Sequence, residues 1–253
     1  VRLRQLAPEV WVGISPVWQT THTICGARGA LIIDGPVRDA ELEALAAWAR
    51  PAALIATHAD WNHLLAPLAF PAAHLLAGRA TIDRCRADRR AIAAELAAWD
   101  TGHQDAPRLV PDWGAAAALE APGTVASPVG PMTVVATPGH TPDGIALLLT
   151  EPGILVAGDY LSPREIALLE TDTAVAEYLA SLDRLEALVA KARCVVPGHG
   201  WPVSAARART LLHEDRRYVE ALGRGERPRL PRGASDPAQQ RAHRANLRAA
   251  SGR

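Results

Sequence analysis

The chain is nearly devoid of lysine, carrying Lys191 alone against twenty-six arginines. A bias of that kind, with abundant alanine, reflects genome composition rather than function. Cysteine is also scarce. Cys25, Cys85 and Cys194 lie far apart with no Cys-x-x-Cys spacing, which argues against a disulfide framework and fits a reducing compartment. Cys194 falls in an apolar Cys-Val-Val run and reads as a buried hydrophobe. No apolar run reaches the length of about 18 residues that a membrane span needs. Val1-Arg2-Leu3-Arg4-Gln5 lacks the apolar core of a signal peptide, so a soluble, cytoplasmic protein without a membrane partner is expected. Net charge is absent too: 27 basic residues balance 27 acidic ones, leaving no global field to attract nucleic acid.

What the chain does have is ample material for a core. Its 253 residues are 49% apolar and 21% charged, the profile of a globular protein large enough for one big domain. Charge is unevenly placed. Residues 222–253 hold eight arginines against Glu226 and Asp236, a net +6, and the rest of the chain carries −6. A basic end docks on the acidic body, binds an anionic partner or is simply solvated, and the solvated end is the ordinary expectation. The division expected is a main domain over 1–222 and a basic linker with a short helix over 223–253.

Hydrophobic periodicity outlines the elements. Short β-type runs occur at 10–14, 30–34, 52–56, 132–136, 145–150, 154–157 and 193–196. Asp39 can cap a helix with the stripe Leu42, Leu45, Ala46 and Ala49, and Pro51 stops it. A single helix is expected over 80–99, with Ile82, Cys85, Ile92, Leu96 and Trp99 on one face. The polar stretch 100–111 reads as a loop and a candidate lid. Further helices are expected over 173–190, capped by Asp172, and over 204–222. Residues 223–236 read as a linker, and Asp236-Pro237 opens a basic terminal helix. Strands and helices alternate without long gaps, which predicts a layered α/β sandwich.

Four segments carry the chemistry: Thr57-His58-Ala59-Asp60-Trp61-Asn62-His63, Thr137-Pro138-Gly139-His140, Ala157-Gly158-Asp159-Tyr160 and Val196-Pro197-Gly198-His199. Each follows an apolar run that reads as a buried strand. Converging strand ends would bring three or four imidazoles and up to two carboxylates into one small volume, the ligand set of a divalent metal. Gly139 and Gly198 precede their histidines and allow sharp turns. Trp61 is expected to pack against the metal loop, and Tyr160 either lines a pocket or packs in the core. His22, His74, His103, His213 and His243 are read as structural or surface residues, with Thr21-His22-Thr23 as a loop that could lie near the cleft mouth.

In order and spacing these motifs resemble those of the metallo-β-lactamase superfamily, over roughly residues 8–222. The resemblance implies a four-layer αββα sandwich with metals at one edge between two sheets. The first motif of that family, His-x-His-x-Asp-His, falls on His58-x-Asp60-x-Asn62-His63, followed by His140, Asp159 and His199. Asp34, at the end of an early strand, matches the family's buttress for the metal loop. Two positions depart from the pattern: Asp60 replaces a histidine and Asn62 an aspartate. The correspondence implies one site of His58, Asp60 and His140 and a second of Asn62, His63 and His199, with Asp159 shared. Asp60 is otherwise a loop residue supporting the ligands, and Asn62 otherwise a turn-stabilising amide. Asn offers only a neutral oxygen and cannot act as a base, so the second ion is expected to bind more weakly or be absent.

The expected cofactor is one or two divalent ions, zinc first, with iron or manganese as alternatives. The expected activity is hydrolysis of an ester, thioester, lactone or amide by metal-bound hydroxide, with Asp60 and Asp159 as catalytic residues. The partner expected is a small-molecule substrate, not nucleic acid, since the chain lacks a basic track and a long extra domain. Two other readings stay open. One is a mononuclear Fe(II) oxidoreductase like the superfamily's sulfur dioxygenases, built on His58, His140 and Asp159. The other is a non-catalytic metal-binding relative. Substrate and oligomeric state are not legible in the sequence.

Overall fold

A computed structural model describes residues 2–103, 106–169 and 174–251. Seven strands form the first sheet in sequential order: β1 (Arg2–Ala7), β2 (Val10–Ile14), β3 (Thr21–Cys25), β4 (Leu31–Ile33), β5 (Ala53–Ala56), β6 (His74–Gly78) and β7 (Ala117–Leu119). The first four are antiparallel neighbours, and β4 to β7 run parallel. Parallel pairing requires crossovers. These are supplied by α1 (Asp39–Trp48), by the turns after β5, and by α2 (Arg79–Ala87) with α3 (Arg89–His103).

The second sheet contains β8 (Gly123–Ser127), β9 (Gly130–Ala136), β10 (Ile145–Leu149), β11 (Ile154–Val156), β12 (Cys194–Val196) and β13 (Val203–Ser204), paired in that sequence from one edge to the other. It is antiparallel except between β11 and β12, which α4 (Ala174–Val189) connects. Helices α5 (Ala205–Gly223) and α6 (Pro237–Ser251) complete the chain.

Alternation along the buried strands sets the layers. Leu31 and Ile33 face the other sheet and meet Leu147, Leu149, Val156 and Val196, while Ile32 and Leu54 face outward onto Leu42, Leu45, Ile82 and Leu96. On the far side Leu148, Leu155 and Val195 pack on Leu182, Leu185 and Leu212. The order is helices, sheet, sheet, helices, the αββα sandwich. Among the described residues no helix is long and apolar enough to cross a membrane.

Several expectations change. Residues 80–99 are two helices, α2 and α3, because Asp88 leaves helical geometry at φ −100°, ψ 13°. Helix α3 runs on to His103, so 100–103 are not loop. Asp100 is buried and gathers the returning chain: Arg108 Nη2 reaches its Oδ1 at 2.6 Å and Arg108 N its Oδ2 at 2.9 Å. The remainder of the expected lid includes 104 and 105, which lie outside the described residues, as does the expected cap Asp172. Thr21-His22-Thr23 belongs to strand β3, not to a loop. His22 is buried against Gly13, where any Cβ would collide with its imidazole.

The basic end is not a loose solvated tail. Arg232 pairs with buried Asp215 at 2.5 Å, and Ala250 and Leu247 of α6 join the core over the second sheet. Gln239 and Asn246 accept hydrogen bonds from the backbone of Ile166 and Leu169, holding the segment that leads away from Asp159.

Candidate metal centre

Four loops leave the ends of β5, β9, β11 and β12 at one edge of the sandwich and face one another. The first is fixed by Asp34, whose φ of +59° bends the chain as it leaves β4. Its Oδ1 accepts the Thr57 amide at 2.8 Å and its Oδ2 the Thr57 hydroxyl at 2.9 Å. The same Oδ2 lies 3.0 Å from His63 Nδ1. His58 Nδ1 is 3.0 Å from Thr57 Oγ1, and His199 Nδ1 is 3.3 Å from the Trp18 carbonyl. These contacts hold three rings by Nδ1 and turn each Nε2 to the common centre, the arrangement that orients metal-binding histidines.

The third loop carries Asp159 and the fourth makes room for it. A Cβ on Gly198 would overlap Asp159 Oδ1, so this glycine is there for space. Gly139 does need its freedom, with φ +130° and the backbone of Tyr178 2.5 Å from where a Cβ would sit. Tyr160 is a core residue: its hydroxyl donates to the Pro138 carbonyl at 2.8 Å and accepts the His140 amide at 3.1 Å, bracing the His140 turn.

Two donor groups result, one of His58, Asp60, His140 and Asp159 and one of His63, Asp159 and His199, with the donor atoms of each group within 4.8 Å of one another. Asp159 Oδ2 lies 3.6 Å from His58 Nε2, 3.3 Å from His140 Nε2 and 3.2 Å from His199 Nε2, and its Oδ1 is 3.3 Å from His63 Nε2. Asp60 Oδ2 stands 3.6 Å from both His58 Nε2 and His140 Nε2. The Asn62 amide is 3.4 Å from His199 Nε2 and borders the second group. The structure thus gathers all seven residues singled out in the sequence. Four buried atoms at the centre, His58 Nε2, His63 Nε2, His140 Nε2 and Asp159 Oδ1, make no hydrogen bond among the described residues. Buried polar atoms ordinarily find partners, and a divalent cation would satisfy this set of imidazole and carboxylate donors together.

Electrostatics point the same way. Burial alone would lower the imidazoles, but Asp159 and Asp60 outweigh it and hold His58 up at about 10. Against the same burial, Asp159 raises His63 to about 9, and Asp159 and Asp60 together raise His140 to about 10. His199 is raised too, burial again opposing Asp159. Both carboxylates are held well below their usual range: burial works against this, but His58 prevails for Asp60 and His199 for Asp159.

A metal-free chain therefore holds protons where a cation would take the lone pairs. Each raised imidazole contributes stability that is complete below its unfolded value of 6.5 and is lost as pH climbs through about 9 to 10. The melting temperature of chelator-stripped protein is expected to decline from pH 6.5 to 10, and saturating zinc to flatten that decline. Identical slopes with and without zinc would refute the coupling.

Sequence reasoning missed three neighbours. Arg84 and Asp143 brace Asp60 and the Ala59 amide from outside the loop. Glu165 Oε1 lies 3.9 Å from His199 Nδ1, and its carboxyl is raised by burial. None belongs to a recognisable motif, and Arg84 is one of three arginines on α2.

The fold and this edge cluster define a two-sheet αββα sandwich with a candidate metal centre at one rim. The model of the Metallo-beta-lactamase superfamily matches residues 23–199, and the chain belongs to that superfamily. Solved structures agree on the fold. A beta-lactamase domain protein from Burkholderia ambifaria is 19% identical with a TM-score of 0.72, over 98% of this chain and 86% of that one. A metallo-beta-lactamase family protein from Thermus thermophilus is 19% identical with a TM-score of 0.69, over 86% of this chain and 81% of that one. The stereoselective inverting sec-alkylsulfatase Pisa1 from Pseudomonas sp. is 18% identical with a TM-score of 0.68, but the match spans 98% of this chain and only 49% of that one.

Proposed function

We propose that the protein is a metal-dependent hydrolase acting on a small molecule with an ester, thioester, lactone or amide bond. One observation carries the reading: four buried donor atoms from three loops face one another without a hydrogen-bond partner among the described residues. When bound, a divalent ion at such a site supplies hydroxide at neutral pH and polarises a carbonyl. The residues proposed to hold it are His58, Asp60, His140 and Asp159 in one group and His63, His199, Asp159 and Asn62 in the other. Asp159, with both oxygens turned inward, joins the two, and Asp34, Thr57 and the Trp18 carbonyl keep the rings oriented. Trp18, whose carbonyl meets His199 Nδ1, and Trp201, two residues beyond His199, are 37% and 45% exposed, and the substrate we favour has an apolar part. Nucleic acid and membrane surfaces are not partners in this reading, and zinc is the metal it favours.

Asn62 contributes at most a neutral oxygen, so the second group is the weaker one. Two unequal zinc-binding steps are expected in calorimetric titration. Asn62→Asp is expected to tighten the weaker step and leave the stronger one within about twofold. A variant whose weaker step is unchanged removes position 62 from the site.

The whole reading is tested by metal analysis of protein purified without added metal, followed by assays on a panel of the four bond types before and after chelation. Bound zinc together with chelator-sensitive hydrolysis is the expected result. A single oxygen-sensitive iron would instead favour the oxidoreductase, and a chain that binds no metal would sink both.

A further inference from the structure

Asp60 stands where the superfamily pattern has an imidazole. An imidazole presents one neutral donor atom, whereas a free carboxylate presents two oxygens and a full negative charge. Arg84 narrows that difference. Its Nη2 lies 2.9 Å from Asp60 Oδ1, and Oδ2 faces His58 Nε2 and His140 Nε2 at 3.6 Å each. A carboxylate capped by a guanidinium on one oxygen is a one-atom donor with part of its charge compensated. In that respect it is closer to imidazole than to a bare carboxylate.

The guanidinium is itself held from two sides. Its Nη1 lies 2.8 Å from Oδ1 of buried Asp143, whose Oδ2 accepts the Ala59 amide at 2.7 Å. The Thr81 hydroxyl donates to the Asp143 carbonyl at 2.9 Å, one turn before Arg84 on α2. Ile82 and Cys85 seat that helix in the core under the first sheet. The place of Arg84 is therefore set by helix docking, and the side chain is 18% exposed. One guanidinium also ties the loop bearing His58 and Asp60 to the loop bearing His140. Set beside Asn62, the arrangement looks like a carboxylate moved two places along the loop, with Arg84 waiting at the new position.

We infer that Arg84 is a positioning residue for metal binding: by taking Asp60 Oδ1 it presents Oδ2 alone to an ion shared with His58, His140 and Asp159. The inference rests on the metal-centre reading above and adds a requirement to it.

The test is a double-mutant cycle read in zinc affinity, not in turnover. Zinc dissociation constants are measured by competition with a chromophoric chelator for the parent, Arg84→Ala, Asp60→Ala and the double variant, with cobalt absorption spectra alongside. Arg84→Ala is expected to weaken the tighter site by about 10–100-fold, the range for losing a group that orients a ligand. Its cobalt spectrum is expected to move toward that of Asp60→Ala. With Asp60 already gone, removing Arg84 is expected to change zinc affinity by less than about twofold. If Arg84→Ala does not fold, Arg84→Lys, which keeps the charge but loses the two-armed grip, replaces it in the same cycle. An effect of equal size with and without Asp60, or no effect at all, overturns the inference while leaving the metal centre standing. A parent that binds neither zinc nor cobalt overturns the metal centre itself.

Discussion

Asp159→Ala is expected to abolish binding at both ion positions at once. Among the described residues no other side chain in the centre faces all four imidazoles, from 3.2 Å at His199 to 3.6 Å at His58. Its removal takes away the carboxylate that faces His63 Nε2 and leaves buried, positively inclined rings facing one another. The loss in affinity should exceed the 10–100-fold, or about 1.4–2.7 kcal/mol, that losing an outer hydrogen-bond partner costs. Asp159→Asn separates shape from charge, since the amide keeps one oxygen but no net charge. It is expected to retain the folded chain, to lose the weaker ion entirely and to hold the stronger one poorly. Metal analysis after gel filtration, with melting curves on the same samples, measures both. Parent-level metal in Asp159→Ala would show that the two groups do not share this residue.

The second large effect is expected at Asp34, which touches no candidate ion position. Its carboxylate is 3% exposed and accepts from the Thr57 amide and the Thr57 hydroxyl, with His63 Nδ1 at 3.0 Å. Asp34→Ala leaves these three groups buried without an acceptor, and removing one side of a buried charged network typically costs about 3–5 kcal/mol. The residue also bends the chain at φ +59°, where alanine is less at ease than aspartate. The expected result is a melting temperature lowered even in metal-free protein, together with weaker zinc binding, because His63 then loses its orientation. Asp34→Asn should keep more stability than affinity, since an amide can serve Thr57 but not hold the imidazole tautomer equally well. A variant that loses affinity at full stability would confine Asp34 to the centre and deny it any part in holding the loop together.

The site was legible because its residues sit where buried strands end, and short apolar runs of Val, Ile, Leu and Ala mark such ends clearly. The four-layer order followed from the same runs together with the resemblance in motif order. What stayed illegible has a common cause. Strand β3 reads Thr-His-Thr-Ile-Cys, with a histidine at a position that only the missing side chain of Gly13 makes habitable. Strands β6, β7 and β8 are short and only partly buried, so none carries a run of buried apolar residues to mark it. The break at Asp88 interrupts two segments whose apolar spacing continues across it. Arg84 and Asp143 join the centre through tertiary contact across 59 positions of chain, a relation that no local pattern encodes.

Ownership of the donors is divided: His58, Asp60 and His63 hang from the first sheet, whereas His140, Asp159 and His199 hang from the second. Any ion gripping both sets works as a rivet through the seam of the sandwich. Extracting it should let that rim splay while the opposite rim stays shut. Amide exchange would then quicken together at Thr21, whose N–H reaches across to the Gly198 carbonyl at 2.8 Å, and at Ile145, whose N–H reaches the Thr57 carbonyl at 2.9 Å, and lag at the far ends of the same strands.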